Sequence, residues 1–211
     1  MNPTRFWPSA LVAAWLACAG PVVQAASLSG VGTADDQFDV YLSTTLTPGA
    51  GDLVFSKPPY WSTTGSFSGV TLSPGQSVYL LVDAQNVFGG PAMFIADFSI
   101  AGSGFAFLNG GTTLSTDAVH WQVGESSFAS ATGTPYVMGA NGPGMQIWGQ
   151  IAGVAAGTEA IWAYNADWAN GYNGHAYFVT QIVAVPEPAS AATLAAGLVL
   201  IGALALHRHR A

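Results

Sequence analysis

The sequence contains very little cysteine and very little positive charge. Its single cysteine is Cys18, and its 4 Lys and Arg residues stand against 11 Asp and Glu residues. A disulfide framework is therefore excluded, so any folded part must be stabilised by packing. Between residues 26 and 184 the only Lys or Arg is Lys57, and its charge together with those of ten acids sums to −9. No nucleic acid is expected as a partner, because phosphate contacts need clustered Lys and Arg.

Familiar catalytic motifs are missing as well. The chain has no H-E-x-x-H, no G-x-S-x-G and no Walker-type loop. His120 and His175 are isolated in sequence, and His120 is expected on the solvent side of a strand. We therefore predict that the protein is not an enzyme. The alternative is a secreted hydrolase that uses a carboxylate pair without a recognisable motif.

The first 25 residues predict a secretory signal peptide. Arg5 is their only charge, an apolar stretch covers residues 10–19, and Val23-Gln24-Ala25 supplies small residues for cleavage after Ala25 or Ala26. Such cleavage would remove Cys18 and leave a mature chain without cysteine. Lipidation of Cys18 is the alternative, and it is disfavoured by Trp15, which occupies a position where a lipobox has a branched aliphatic residue.

The C-terminus combines a short turn motif, an apolar run and a basic tail. The motif is Pro186-Glu187-Pro188, the run covers residues 189–206, and the tail contains Arg208 and Arg210. Such a run is long enough, as a helix, to cross a hydrocarbon core of about 30 Å. The basic tail is typical of a cytoplasmic flank. The residues alone predict a transmembrane anchor.

This order of motif, helix and tail resembles the PEP-CTERM sorting signal of Gram-negative bacteria. The resemblance covers residues 185–211, and the tail departs from the family in alternating histidine with arginine. It implies an exosortase-like processing enzyme as a partner, with Pro186, Glu187 and Pro188 as the recognised motif. It also implies a transient stay in the inner membrane, followed by transfer to the cell surface or the extracellular space.

Residues 26–184 predict one all-β domain, a β-sandwich or jelly roll. Short apolar or alternating runs are separated by turn clusters rich in Gly, Pro and Asn, and no helical periodicity of useful length appears before Pro188. The predicted strands are 37–42, 66–72, 77–82, 93–100, 104–108, 119–123, 147–148, 160–164 and 176–183. The run at 77–82 is continuously apolar, which predicts a strand covered on both faces.

Three segments of this domain also resemble galactose-binding-like jelly rolls. They are residues 34–41, residues 81–94 with their Gly89-Gly90-Pro91 turn, and residues 176–178. The motifs are loose, and the resemblance implies the fold more than a ligand.

Aromatic and acidic residues give two candidate sites in the predicted domain. Trp61 and Trp168 lie in polar, loop-like stretches, so we expect them to be exposed and able to stack on sugars, whereas Trp162 lies in an apolar strand and is expected in the core. Asp35 and Asp36 are adjacent, and clustered oxygens predict a calcium site, with a solvated turn as the alternative. No other cofactor is expected.

The favoured interpretation is an exported, non-enzymatic surface or matrix protein. It would be sorted by an exosortase-like system and associated with exopolysaccharide or biofilm. A carbohydrate-binding module that uses Trp61 and Trp168 is the first alternative.

Overall fold

The computed structural model describes residues 25–185, together with residues 196–198 and 201, which are helical. Residues 1–24 of the predicted signal peptide, the motif Pro186-Glu187-Pro188 and the basic residues Arg208 and Arg210 lie outside the described residues, so their roles stay predictions. In the part of the chain that the structure describes, no helix is long and apolar enough to cross a membrane.

Ala25–Val185 forms one compact unit and consists almost entirely of strands and loops. The strands are β1 (Ala26–Ala34), β2 (Gln37–Ser43), β3 (Leu53–Lys57), β4 (Gly65–Leu72), β5 (Val78–Asn86), β6 (Phe94–Ala101), β7 (Phe105–Phe107), β8 (Thr113–Ser115), β9 (Gln122–Gly124), β10 (Tyr136–Ala140), β11 (Glu159–Trp162) and β12 (Gly174–Ala184). Two short 3-10 helices, Ala50–Asp52 and Phe128–Ser130, lie between them. The prediction of an all-β domain is confirmed.

The strands form two antiparallel sheets. One has the order β10-β11-β6-β1-β4, with β8 pairing to β6, and the other has the order β3-β2-β5-β12-β7, with β9 pairing to β12. Consecutive strands β1 and β2 lie in different sheets, so the chain crosses between the sheets at residues 35 and 36. The finer prediction of a jelly roll like that of galactose-binding-like domains stays a prediction.

Aromatic side chains fill the space between the sheets. The ring of Phe94 on β6 lies 5.4 Å from that of Phe38 on β2 and 5.3 Å from that of Phe178 on β12. Trp162 is 1% exposed and lies 6.3 Å from Phe178, so its predicted place in the core is confirmed. Contacts between rings of opposite sheets identify the fold as a β-sandwich with a packed interior.

The continuously apolar strand is covered on both faces, as predicted. Leu80 and Val82 of β5 belong to the core between the sheets, while Leu81 packs on the outer face in a second cluster with Phe128 and Val179. The second cluster exists because the 3-10 helix Phe128–Ser130 lies over the outside of the sheet.

Two predicted strands differ from the structure: one is shorter than predicted, and the other is not a strand. The predicted strand 119–123 begins only at Gln122, because Asp117 Oδ1 accepts hydrogen bonds from the backbone N–H groups of Val119 and His120 and turns the chain. His120 therefore lies in a turn. Residues 147–148 are not a strand, and Trp148 is instead a buried residue of the loop between β10 and β11.

Candidate functional site: an aromatic loop end

Four connections meet at one end of the sandwich, here called the loop end. The β1–β2 turn, the β3–β4 loop, the β5–β6 loop and the β11–β12 loop belong to it. Strand register places them together, because Ala34 pairs with Phe94, Phe38 with Lys57, Gly32 with Gly65 and Gly174 with Asn86.

Both ends of the described domain lie at the opposite end of the sandwich, here called the terminal end. Gly102, in the β6–β7 loop, lies against the backbone of Ala25. The Ala25 carbonyl oxygen is 3.0 Å from the position that a Cβ on residue 102 would occupy. The N–H of Val185 donates to the carbonyl of Gly104 over 2.9 Å. The first and last residues of the domain therefore contact the same β6–β7 loop, and the chain enters and leaves far from the loop end.

The loop end carries large aromatic side chains that face solvent. They are Tyr60 (70% exposed), Phe88 (72%), Trp168 (73%) and Tyr172 (53%). Exposed apolar side chains that occur singly need no explanation, but a group on converging loops is typical of an interaction surface.

The two tryptophans singled out from the sequence have different positions. Trp168 is exposed, as expected. Trp61 is half-buried and packs against the core, and its carbonyl accepts a 2.9 Å hydrogen bond from Thr33 Oγ1. The expectation that Trp61 is exposed was therefore wrong, and its neighbour Tyr60 is the exposed ring of this loop.

The backbone at Tyr60 is held in an unusual conformation. Its φ of 114° lies in a region that favours glycine. Its carbonyl accepts hydrogen bonds from Lys57 Nζ at 2.8 Å and from both the N–H and the hydroxyl of Thr63. Strain of this kind persists only where surrounding contacts hold it, and it concentrates at functional sites.

Trp168 is fixed by its own loop and by the neighbouring one. Asp167 Oδ1 accepts hydrogen bonds from the N–H groups of Ala169 and Asn170, which closes a tight turn around the tryptophan. A Cβ on Gly90 would lie 3.2 Å from Trp168 Cζ3, and Gly90 has a φ of +79°. Glycine at position 90 thus permits both the turn and the close approach of the indole.

Tyr172 is held by an aromatic stack and by a carboxylate. Its ring lies parallel to that of Tyr164 with centroids 5.0 Å apart, and its hydroxyl donates to Glu125 Oε2 over 2.9 Å. The hydrogen bond to Glu125 is the main reason why the pKa of Tyr172 is raised above its usual value.

A buried group of charged residues lies beneath these loops. Lys57 Nζ donates to the carbonyls of Asp36, Pro58 and Tyr60, which accounts for all three of its protons. Asp36 Oδ2 accepts hydrogen bonds from the N–H groups of Val87 and Phe88 at 2.8 and 2.9 Å. The lysine and the aspartate thereby fix the loops that present Tyr60 and Phe88.

Asp35 connects the same group to the β10–β11 loop. Its Oδ2 accepts a 2.8 Å hydrogen bond from Trp148 Nε1. Burial raises the pKa of the Asp35 carboxyl from 3.8 to about 7, and burial also lowers the pKa of Lys57. Asp35 and Asp36 are 8% and 5% exposed, so the solvated turn that was the alternative to a calcium site is wrong.

Calcium binding at Asp35 and Asp36 stays a prediction. Calcium needs six to eight oxygen ligands. Within residues 25–185, 196–198 and 201, no three His, Cys, Asp or Glu side chains lie close enough together to hold a metal ion. One oxygen of each of the two carboxylates is already occupied by protein N–H donors.

A pocket of about 360 Å³ adjoins the aromatic loops, here called the shoulder pocket. It is lined by Gln85, Asn86, Val87, Asn173, Gly174 and His175. Asn86 is 2% exposed, and its Nδ2 donates to the carbonyls of Gly90 and Tyr172, so it joins the β5–β6 and β11–β12 loops. Among the described residues, Asn86 Oδ1 has no hydrogen-bond partner.

Each histidine of the domain is paired with a carboxylate. His175 Nδ1 lies 2.8 Å from Asp83 Oδ1, and His120 Nδ1 lies 2.7 Å from Asp117 Oδ2. Burial is the main reason that the pKa of Asp83 is raised. The other residues lining the shoulder pocket around His175 offer amide and apolar side chains and no hydroxyl or thiol nucleophile. This pocket therefore offers binding groups more readily than the parts of a hydrolytic triad.

No protein-family model, curated protein or solved structure matches the chain. Functional conclusions therefore depend on the residues and their geometry.

Of the residues in this site, Tyr60, Phe88, Tyr172 and Asn86 were not predicted as site residues from the sequence. A phenylalanine directly before Gly89-Gly90-Pro91 is an apolar residue inside a turn cluster, which is a usable signal of exposure. Asn86 carries no such signal, because its partners lie on another loop.

Proposed function

We propose that the protein is an exported, non-enzymatic surface or matrix protein whose loop end binds extracellular polysaccharide. The observation that carries this proposal is the group of exposed aromatic rings at the loop end, on loops whose backbone is held by hydrogen bonds of Lys57, Asp36 and Asp167. Loops that are fixed before binding lose little conformational entropy on contact with a sugar, so such a surface is well suited to stacking.

The position of the chain ends supports the same proposal. Ala25 and Val185 both lie at the terminal end, where the segments proposed for export and sorting are joined to the domain. A protein retained through residues 186–211 would therefore keep its aromatic loops at the opposite end of the β domain. The sorting route itself rests on the likeness of the C-terminal residues to PEP-CTERM signals.

Polysaccharide binding is tested by replacing Trp168, the most exposed tryptophan of residues 25–185. Affinity electrophoresis of the full chain in gels with soluble polysaccharides would compare the parent with Trp168→Ala. We expect about tenfold weaker binding, because a central aromatic anchor is commonly worth more than 1 kcal/mol. Leu53→Ala is the control, since Leu53 is an exposed apolar residue outside the loop end. Unchanged binding by Trp168→Ala would contradict the proposal.

Sorting is tested separately by intact mass. The protein would be recovered from surface and membrane fractions of its native host. A surface product ending near Pro188 is expected if an exosortase-like enzyme processes the chain. A product that retains residues 189–211 in the membrane would identify a plain anchor and overturn the sorting proposal.

A further inference from the structure

A groove of about 500 Å³ lies on the outer face of the sheet that contains β1, β6 and β8, here called the sheet groove. Leu28, Phe98 and Leu114 of these strands belong to the core. Because side chains alternate along a strand, the odd-numbered residues around them face outward. The outward residues that line the groove are Ser29 and Val31 of β1, Asp97 and Ser99 of β6, and Thr113 and Ser115 of β8.

Three hydroxyl groups form a row across this groove. Strand register pairs Ser29 with Ser99 and Ser99 with Thr113. Ser99 and Thr113 are exposed and Ser29 is half-buried, and within residues 25–185 none of the three side chains has a hydrogen-bond partner. Neighbouring strands lie about 4.8 Å apart, so the three hydroxyls are close enough together to contact one polymer chain. A hydroxyl both donates and accepts, which matches the hydroxyls of a sugar.

The next row of the groove contains a carboxylate that is held by the protein. Asp97 Oδ1 accepts hydrogen bonds from Ser115 Oγ at 2.6 Å and from Thr158 Oγ1 at 3.0 Å. Its Oδ2 accepts a 2.6 Å hydrogen bond from the N–H of Ala155. These three donors fix the carboxylate and join the β10–β11 loop to the sheet.

The β10–β11 loop closes the groove at this end. Val31 Cγ2 lies 3.5 Å from the position that a Cβ on Gly153 would occupy, so the loop packs on the outer face of β1. Asn141 is 3% exposed, and its Nδ2 donates to three carbonyls within residues 151–155. The loop is therefore fixed before a ligand binds, which lowers the entropic cost of binding.

Charge decides which class of polysaccharide fits the groove. From Ala25 to Val185 the only Lys or Arg is Lys57, which is 3% exposed and lies beneath the aromatic loops. An anionic polymer would be repelled by Asp97 and by the net negative charge of the domain. A cationic polymer would gain little from Asp97, because three protein donors already contact its oxygens. A neutral polymer needs only the hydroxyl groups.

We propose that the sheet groove is a second polysaccharide-binding site and that its ligand is a neutral polymer. The polymer lies across β1, β6 and β8, with its hydroxyls bonded to those of Ser29, Ser99 and Thr113. This inference rests on the proposed function for the class of ligand, but none of the residues that line the groove belongs to the loop end.

The test measures binding of the full chain to soluble polymers by affinity electrophoresis. The probes are a neutral glucose polymer, a neutral galactose polymer and a uronic-acid polymer. We expect at least one neutral polymer to bind about tenfold more tightly than the uronic-acid polymer. Binding of the neutral polymer should be nearly unchanged at high salt, because it forms no charge pair with the protein.

Variants that lack hydroxyls test the groove itself. The double variant Thr113→Val/Ser99→Ala removes two hydroxyls from exposed positions of the groove. We expect about tenfold weaker binding of the neutral polymer, because each lost hydrogen bond weakens binding severalfold. The matched control is Thr47→Val/Ser73→Ala, which removes the same groups from exposed positions outside the groove and should bind as the parent does. Both double variants should keep the urea unfolding midpoint of the parent.

The outcomes distinguish this inference from the proposed function. If Trp168→Ala weakens binding and the groove variant does not, the groove inference is overturned, whereas polysaccharide binding at the loop end stands. Tighter binding of the uronic-acid polymer than of both neutral polymers would also overturn it. Equal losses in the groove variant and its matched control would show that the groove has no special part in binding. Binding of no polymer would contradict the proposed function itself.

Discussion

Asp35 makes the stability of the domain depend on pH in an unusual direction. Burial raises its pKa from 3.8 to about 7. Between these values the folded chain keeps a proton that the unfolded chain has released, so the free energy of unfolding falls as pH rises through this window. Most carboxylates held by partners have the opposite effect, because their pKa is lowered on folding.

The substitution Asp35→Asn tests this effect. An amide oxygen can still accept the hydrogen bond from Trp148 Nε1, and it does not ionise. We expect the variant to match the parent near pH 4 and to exceed it at pH 8 by on the order of 2 kcal/mol. Urea unfolding across this range measures the difference. Parallel pH profiles in the two proteins would show that Asp35 does not titrate as described.

Two core tryptophans with unequal hydrogen bonding provide a second test. Trp121 and Trp162 are 2% and 1% exposed, but Trp121 Nε1 donates to the Ser115 carbonyl at 3.1 Å, while Trp162 Nε1 has no partner among the described residues. Replacement by Phe removes similar volume at both positions. Trp121→Phe should therefore cost about 1 kcal/mol more than Trp162→Phe in urea unfolding. The reverse order would mean that packing alone decides the cost.

Residue environments could be predicted from the sequence only where local context determines them. Trp162 lies in an apolar run, and its burial follows directly from that run. Asp36 and Trp61 look exposed in their polar surroundings, but their partners are distant in sequence, at Val87, Phe88 and Thr33. Because donors from other strands complete these environments, no local pattern could indicate them.

At the scale of elements, the strands with long apolar runs were predicted, whereas strand β1, which consists mainly of small residues, was missed. The strands β5 and β12 contain apolar runs and lie inside their sheet, with a paired strand on each side. The strand β1 is central in the other sheet, but its sequence, ASLSGVGTA, has little of the bulk that marks a strand. The strands β3, β8 and β10 were missed as well, and β8 has only three residues.

The glycines of β1 explain why a strand of small residues can be central. A Cβ on Gly32 would lie 2.5 Å from the Cβ of Ala96 and 2.6 Å from the Ile95 carbonyl oxygen, so the strands approach too closely for a side chain. Gly32→Ala should therefore destabilise the domain by about 2 kcal/mol. Gly51→Ala is the matched control, since a Cβ there meets nothing within 4 Å. Equal unfolding midpoints for the two variants would show that β1 can shift without cost.

Across the whole domain, the sheet edges are short or irregular. The pairing of β1 with β4, of β2 with β3 and of β10 with β11 each contains a shift in register, and β7, β8 and β9 have three residues each. Irregular or short edges hinder pairing with another sheet. A domain with so few charges is in this way protected against edge-to-edge association, while its exposed aromatic residues remain available at the loop end.

The domain contains its own core, so it should fold without the remainder of the chain. Phe94 contacts rings of the opposite sheet, and the first and last residues of the domain are held at the β6–β7 loop. A fragment covering Ala25–Val185 has a length that buries a sufficient core. We expect it to unfold in urea in one cooperative transition, with near-ultraviolet circular dichroism typical of fixed aromatic rings. A fragment with native-like secondary structure but no near-ultraviolet signal would mean that residues 1–24 or 186–211 are required for packing.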